Sequence, residues 1–144
     1  MALPKSKTKE SNYQVVETAR VLRKKVLDAC LKLPRRYTFL LLQGTMHVAN
    51  DVMHLCKSAN SVFPTNPSEV QMRINYWIRA RASLQALSSD IDEIAEIPSI
   101  VTYDLVGKKK GVTRHEIDEL GALINKEMGL IKKAIEADRK RFRQ

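Results

Sequence analysis

The chain has 144 residues, which fits one domain, and 44% of them are apolar, enough for a real core. Its 25 Lys+Arg outweigh 16 Asp+Glu, a formal net charge of +9. That balance excludes an acidic solvating tail and points to polyanionic partners, nucleic acid or an anionic membrane surface. Two cysteines, Cys30 and Cys56, make no disulfide framework and read as small buried hydrophobes in a reduced, cytoplasmic protein. Met1 to Glu10 is basic and polar and does not read as a signal peptide. The longest strongly apolar run, Phe39–Leu42, is too short to span a bilayer, and of the polyanionic partners nucleic acid rather than a membrane is expected.

In chain order, residues 1–10 read as a flexible basic arm, and residues 11–144 as the folded domain. Ser11-Asn12-Tyr13-Gln14 has the form of a capping box, in which hydroxyl and amide satisfy orphan backbone donors. Val15, Ala19, Leu22, Val26, Ala29 and Leu33 then alternate steps of four and three, one apolar stripe on a helix that Pro34 ends. A second helix, from near Tyr37, carries Leu41, Thr45, Val48, Val52, Leu55, Ala59 and Val62 on the same spacing, and Phe63-Pro64 stops it. Asn66-Pro67-Ser68-Glu69 is a strong third start, with Asn as cap and Pro at the first helical position. Val70, Ile74, Trp77, Leu84, Leu87, Ile91 and Ile94 carry that helix to about Ala95, with Trp77 on the core stripe.

Ile97 to Gly111 breaks the pattern as a long connector with room for a short extended piece. Thr113-Arg114-His115-Glu116 is a further capping box, and Ile117, Leu120, Ile124, Met128, Ile131 and Ile135 build a fourth helix with a basic end. The helices are expected at about 12–33, 37–62, 67–95 and 113–142. The short joints after the first two force antiparallel neighbours, and sustained 3-4 spacing implies shallow crossings. The expected fold is all-α, an antiparallel up-down-up-down four-helix bundle. Helix two wraps more apolar residues than one narrow face requires, which predicts a homo-oligomer.

Charge is unevenly placed. Residues 5–36 carry ten Lys+Arg against Glu10, Glu17 and Asp28, and residues 132–143 carry six against Glu136 and Asp138. Residues 82–107 hold no Lys or Arg, but Asp90, Asp92, Glu93, Glu96 and Asp104. Arg20, Arg23 and Lys24 share the outer face of the first helix, Lys32, Arg35 and Arg36 gather at its end, and Arg73 and Arg79 lie near Tyr76 and Trp77 on the third. Such cations neutralise phosphates without reading sequence. These eight are the candidate contacts to nucleic acid or to a partner. Gly107–Gly111, which brackets three lysines, reads either as a phosphate-contacting loop or as a solvated one.

His47, Asp51 and His54 share one helix face at i, i+4 and i+7, a spacing that fits either a metal site or a polar seam. Nothing on another helix completes the set, no Gly-rich phosphate loop has its strand–helix context, and no pair of catalytic carboxylates is evident. The expectation is a protein that is not an enzyme and needs no metal or cofactor.

Leu33-Pro34-Arg35-Arg36-Tyr37-Thr38-Phe39-Leu40-Leu41, Val48-Ala49-Asn50-Asp51-Val52 and Arg73-Ile74-Asn75-Tyr76-Trp77-Ile78-Arg79 together resemble a known group. This is the four-helix-bundle family of 23S ribosomal RNA intervening-sequence proteins, and the likeness is to the branch that serves as accessory variability determinant of diversity-generating retroelements. It spans about residues 13–95. The long Ile97–Gly111 connector and the extended basic C-terminus depart from the pattern. The resemblance implies a non-enzymatic accessory protein, a ring-like homopentamer, that binds a reverse transcriptase and its template RNA or RNA/DNA in support of mutagenic cDNA synthesis. Two alternatives stand beside it: a DNA-binding mobilisation or phage protein on the same bundle, and a purely structural oligomeric bundle. A metal-dependent enzyme on His47, Asp51 and His54 is a further reading.

Overall fold

In the computed structural model, the described residues are 3–96, 101–103 and 109–141, with side chains described for 13–35, 37–96 and 111–141. Four helices dominate: α1 (Leu3–Leu31), α2 (Arg35–Ser61), α3 (Pro67–Ala95) and α4 (Arg114–Arg141). Each packs along two others, α1 on α2, α2 on α3, α3 on α4 and α4 on α1, so a helical bundle closes around a shared core. Between α3 and α4, β1 (Val101–Tyr103) and β2 (Lys109–Gly111) pair antiparallel, with Thr102 opposite Lys110. The extended piece expected in the connector is thus a two-stranded ribbon. Gly111, which ends it, has φ of 98°, a left-handed conformation that a side chain would strain. Gly107 and Lys108 of the candidate phosphate loop lie outside the described residues.

Local chemistry sets the helix starts. Asn66 Oδ1 accepts from the Glu69 backbone N–H at 2.9 Å, and Glu69 reaches back to accept from Thr65 N at 3.1 Å and Thr65 Oγ1 at 2.6 Å. Those bonds hold the Glu69 carboxyl below its usual range. At α4, Thr113 Oγ1 accepts from Glu116 N at 3.1 Å, as its capping box requires. Ser11–Gln14 behaves differently: α1 runs through it from Leu3, so the expected arm is helical over Leu3–Glu10. Lys and Glu are good helix formers, and Pro4 sits in the first turn, where its missing N–H costs nothing. Helix α2 starts two residues before Tyr37, directly after Pro34, and Thr38 Oγ1 donates to Leu33 O at 2.8 Å across that corner.

The core follows the expected stripes on α1 and α3, where Val15, Ala19, Leu22, Val26, Ala29, Val70, Ile74, Trp77, Leu84, Leu87, Ile91 and Ile94 are all buried, as is Leu33 just beyond the end of α1. On α2 the buried seam is Thr45, Ala49, Val52, Cys56 and Ala59, whereas Leu41, Val48, Leu55 and Val62 are half-buried. Small residues therefore line the interior side of α2 and its larger apolar residues sit at the flanks. Both cysteines are free and buried, and burial pushes their thiols up, Cys30 to about 11. Such thiols are poor nucleophiles at neutral pH. Among the described residues, no helix is long and apolar enough to cross a membrane.

Candidate nucleic-acid interface

The eight candidate cations separate into classes once placed. Arg20, Lys24, Lys32, Arg35 and Arg79 are exposed. Arg20 Nη1 donates to Glu17 Oε2 at 3.1 Å, one turn back on the same helix, and the pair remains solvated. Lys32 reaches Glu116 on α4 at 3.1 Å. Arg23 is half-buried and donates through Nε to Asn50 Oδ1 on α2, so part of its capacity is spent holding two helices together. The side chain of Arg36 lies outside the described residues.

Arg73 is a correction. Its place beside Tyr76 and Trp77 suggested a surface contact, but it is 4% exposed. Its Nε donates to Asp138 Oδ2 at 3.1 Å and its Nη1 to Val62 O at 3.3 Å. Trp77, fully buried, donates its indole N–H to the same Asp138 oxygen at 3.1 Å. Arg73 therefore joins α3 to α4 and to the turn after α2, and it has no face to offer a phosphate.

Sequence reasoning missed three groups. Lys25 pairs with Glu119 across the α1–α4 boundary, and that hydrogen bond holds the Glu119 carboxyl below its usual range. Asp138 and Glu127 are buried on α4, and Glu127 Oε1 accepts from the Cys56 thiol at 3.7 Å. The signal for the two acids was present, because steps of four and three from Leu120 through Ile124, Glu127, Ile131 and Ala134 end on Asp138. A stripe counted only in apolar letters passes over both.

What remains on the α1 side is a solvated strip in which Lys24, and Arg35 at the start of α2, are exposed with no ion-pair partner among the described residues, while Arg20 and Lys32 are exposed but paired with Glu17 and Glu116, and Asp28 lies exposed between them. Alongside it, an open groove between α1 and α2 is lined by Leu27, Leu31, Phe39, Leu42 and Met46, with Arg35 and His47 at its edge. Phe39 is 86% exposed and Leu40 71%. Such a strip can neutralise phosphates, and the groove can bury against another apolar surface.

The histidine set does not gather. His47 and Asp51 lie 3.5 Å apart and both are solvated, and His54 is exposed. Among the described residues, no group of three or more His, Cys, Asp or Glu side chains is close enough to hold a metal ion. Searches of protein-family models, curated proteins and solved structures return no match for the chain.

Proposed function

We propose that this protein is a non-enzymatic, nucleic-acid-binding accessory subunit that works with a reverse transcriptase of a diversity-generating retroelement, as its motifs suggest. In this reading it is a cytoplasmic protein that assembles as a homo-oligomer, a ring-like pentamer, around template RNA or RNA/DNA. The observation that carries the nucleic-acid part is the exposed Lys24 and Arg35, without ion-pair partners among the described residues, flanked by the solvated pairs of Arg20 and Lys32, on a chain of net charge +9. The helices run up-down-up-down in this reading. Its support is that Lys25 and Lys32 near the end of α1 meet Glu119 and Glu116 near the start of α4, while Arg73 near the start of α3 meets Asp138 near the end of α4.

Binding through phosphates makes affinity for structured RNA fall with salt, with a log–log slope of about 0.7–0.9 per phosphate neutralised. Arg20→Glu, Lys24→Glu and Arg35→Glu combined should weaken binding to unrelated RNAs alike and leave helix content unchanged. Arg23 is left in place because its Asn50 bond joins two helices. Fluorescence anisotropy across a salt series reads the effect. Affinity that survives half-molar salt, or that ignores the triple reversal, would overturn the reading. A second reading, a purely structural oligomer, is favoured by one observation, the open apolar groove lined by Phe39, with the exposed Leu40 next to it in the chain.

A further inference from the structure

The basic end of α4 plays no part in the α1 strip, yet it is placed with care. Arg139, Lys140 and Arg141 form its last described turn, all exposed, with no ion-pair partner among the described residues. The turn between α2 and α3 presents Phe63, 81% exposed. The backbone that carries it is held in a turn: Thr65 N donates to Phe63 O at 2.9 Å, and Pro64 follows it. One buried guanidinium ties the two features together. Arg73 donates to Val62 O at 3.3 Å and to Asp138 Oδ2 at 3.1 Å. Phe63 and Arg139 thus each directly follow a partner of the same side chain.

We propose that this end of the bundle is a second nucleic-acid contact that takes unpaired nucleotides, with Phe63 stacking on a base and Arg139, Lys140 and Arg141 neutralising the flanking phosphates. The proposal rests on the nucleic-acid reading and adds a strand preference to it. Positive charge at a helix C-terminus has its own use, because it complements the helix dipole. A large aromatic left in water at the same end of the bundle has no such use. An aromatic face with adjacent cations is the arrangement that binds single strands without regard to sequence, since every base has a π-face. A base inside a duplex is already stacked on both sides and cannot meet the ring. Arg73, Asp138 and Trp77 act here as positioning residues: they touch no ligand, and they hold the turn after α2 and the last turns of α4 to one another.

The test uses the full chain and fluorescence anisotropy with an oligouridine of about 12 nucleotides, the matching oligothymidine, an RNA duplex of equal length, and polyglutamate. The two single strands should bind more tightly than the duplex, and comparing them separates RNA from DNA as the source of unpaired bases. Phe63→Ala should weaken single-strand binding about tenfold and leave duplex affinity and the salt slope unchanged. Phe63→Trp should restore it. Arg139→Gln, Lys140→Gln and Arg141→Gln combined should lower the single-strand salt slope by about 2, at about 0.7 per phosphate. Circular dichroism checks that each variant keeps its helices. Single-strand affinity indifferent to Phe63→Ala would overturn the proposal, as would polyglutamate bound as tightly as oligouridine. If the α1 reversal weakens binding while Phe63→Ala does not, this proposal falls and the nucleic-acid reading stands. If the unaltered chain binds no nucleic acid, both fall.

Discussion

One carboxylate oxygen, Asp138 Oδ2, takes hydrogen bonds from both Arg73 Nε and Trp77 Nε1 in the interior. Removing one partner of a buried ion pair strands the other charge, which costs about 3–5 kcal/mol. Asp138→Ala should therefore lower unfolding stability by about that amount in urea titration. Arg73→Met with Asp138→Leu removes both charges and should recover most of the loss. A double variant no better than the single would mean that the two side chains do not act as a pair. Glu127 poses the opposite problem. It is fully buried, its Oε1 accepts from Cys56, and its Oε2 has no partner among the described residues. Burial pushes its carboxyl up from 4.5 to about 8, against smaller opposing pulls from the Cys56 hydrogen bond and the Lys126 charge. The folded state thus holds a proton that the unfolded chain releases between those two values. Its contribution to stability is present on the acid side and is lost as pH rises through about 8, at up to about 1.4 kcal/mol per pH unit. Glu127→Gln should flatten the stability profile between about pH 5 and about pH 8 and exceed the parent at the upper end. Parallel profiles for the two proteins would show that Glu127 does not titrate with folding.

Helix α4 explains why much of the fold was legible in the sequence and part of the site was not. Its Ile117, Leu120, Ile124, Ile131 and Ile135 are buried, as a 3-4 stripe demands, and its start is set by the Thr113–Glu116 box. The same stripe places Glu127 and Asp138 inward, but a sequence shows only that they are acids, and the partners that make burial tolerable come from α2 and α3. Arg73 follows the same rule: steps of three and four from Val70 through Arg73, Trp77, Ala80 and Leu84 mark it as an interior position. On α2 the stripe was read through the larger residues, whereas close packing placed Ala49 and Cys56 inside and left Val48 and Leu55 at the flanks. At α1 a local capping signal gave way to propensity, since no Gly or mid-helix Pro breaks Leu3–Leu31 before Ser11. The clustering of cations near α1 was legible from charge alone. Which of them are tied down was not, because Lys25–Glu119 and Lys32–Glu116 join residues 94 and 84 positions apart.

At the scale of the whole molecule, the positive strip and the apolar groove lie side by side, and that adjacency links assembly to binding. Leu27, Leu31, Phe39, Leu42 and Met46 line an open groove, and Phe39 at 86% exposed gains little from its own chain. A second copy seated there would bury it and bring another set of Arg20, Lys24 and Arg35 near the first. Light scattering should then return a multiple of 16.4 kDa at micromolar concentration. Phe39→Asp with Leu40→Asp should return 16.4 kDa with unchanged helix content, because side chains already in water contribute little to the folded monomer. The same variant separates shared from independent binding. If each copy contacts phosphates alone, dissociation leaves the RNA salt slope unchanged. If several copies bind one RNA, the slope falls toward that of a single copy, and affinity drops by about 10²–10⁴ as the linked contacts are lost. The strip beside the groove predicts the second outcome. A parent protein that already scatters as 16.4 kDa would exclude self-association, and would leave the strip to act one copy at a time.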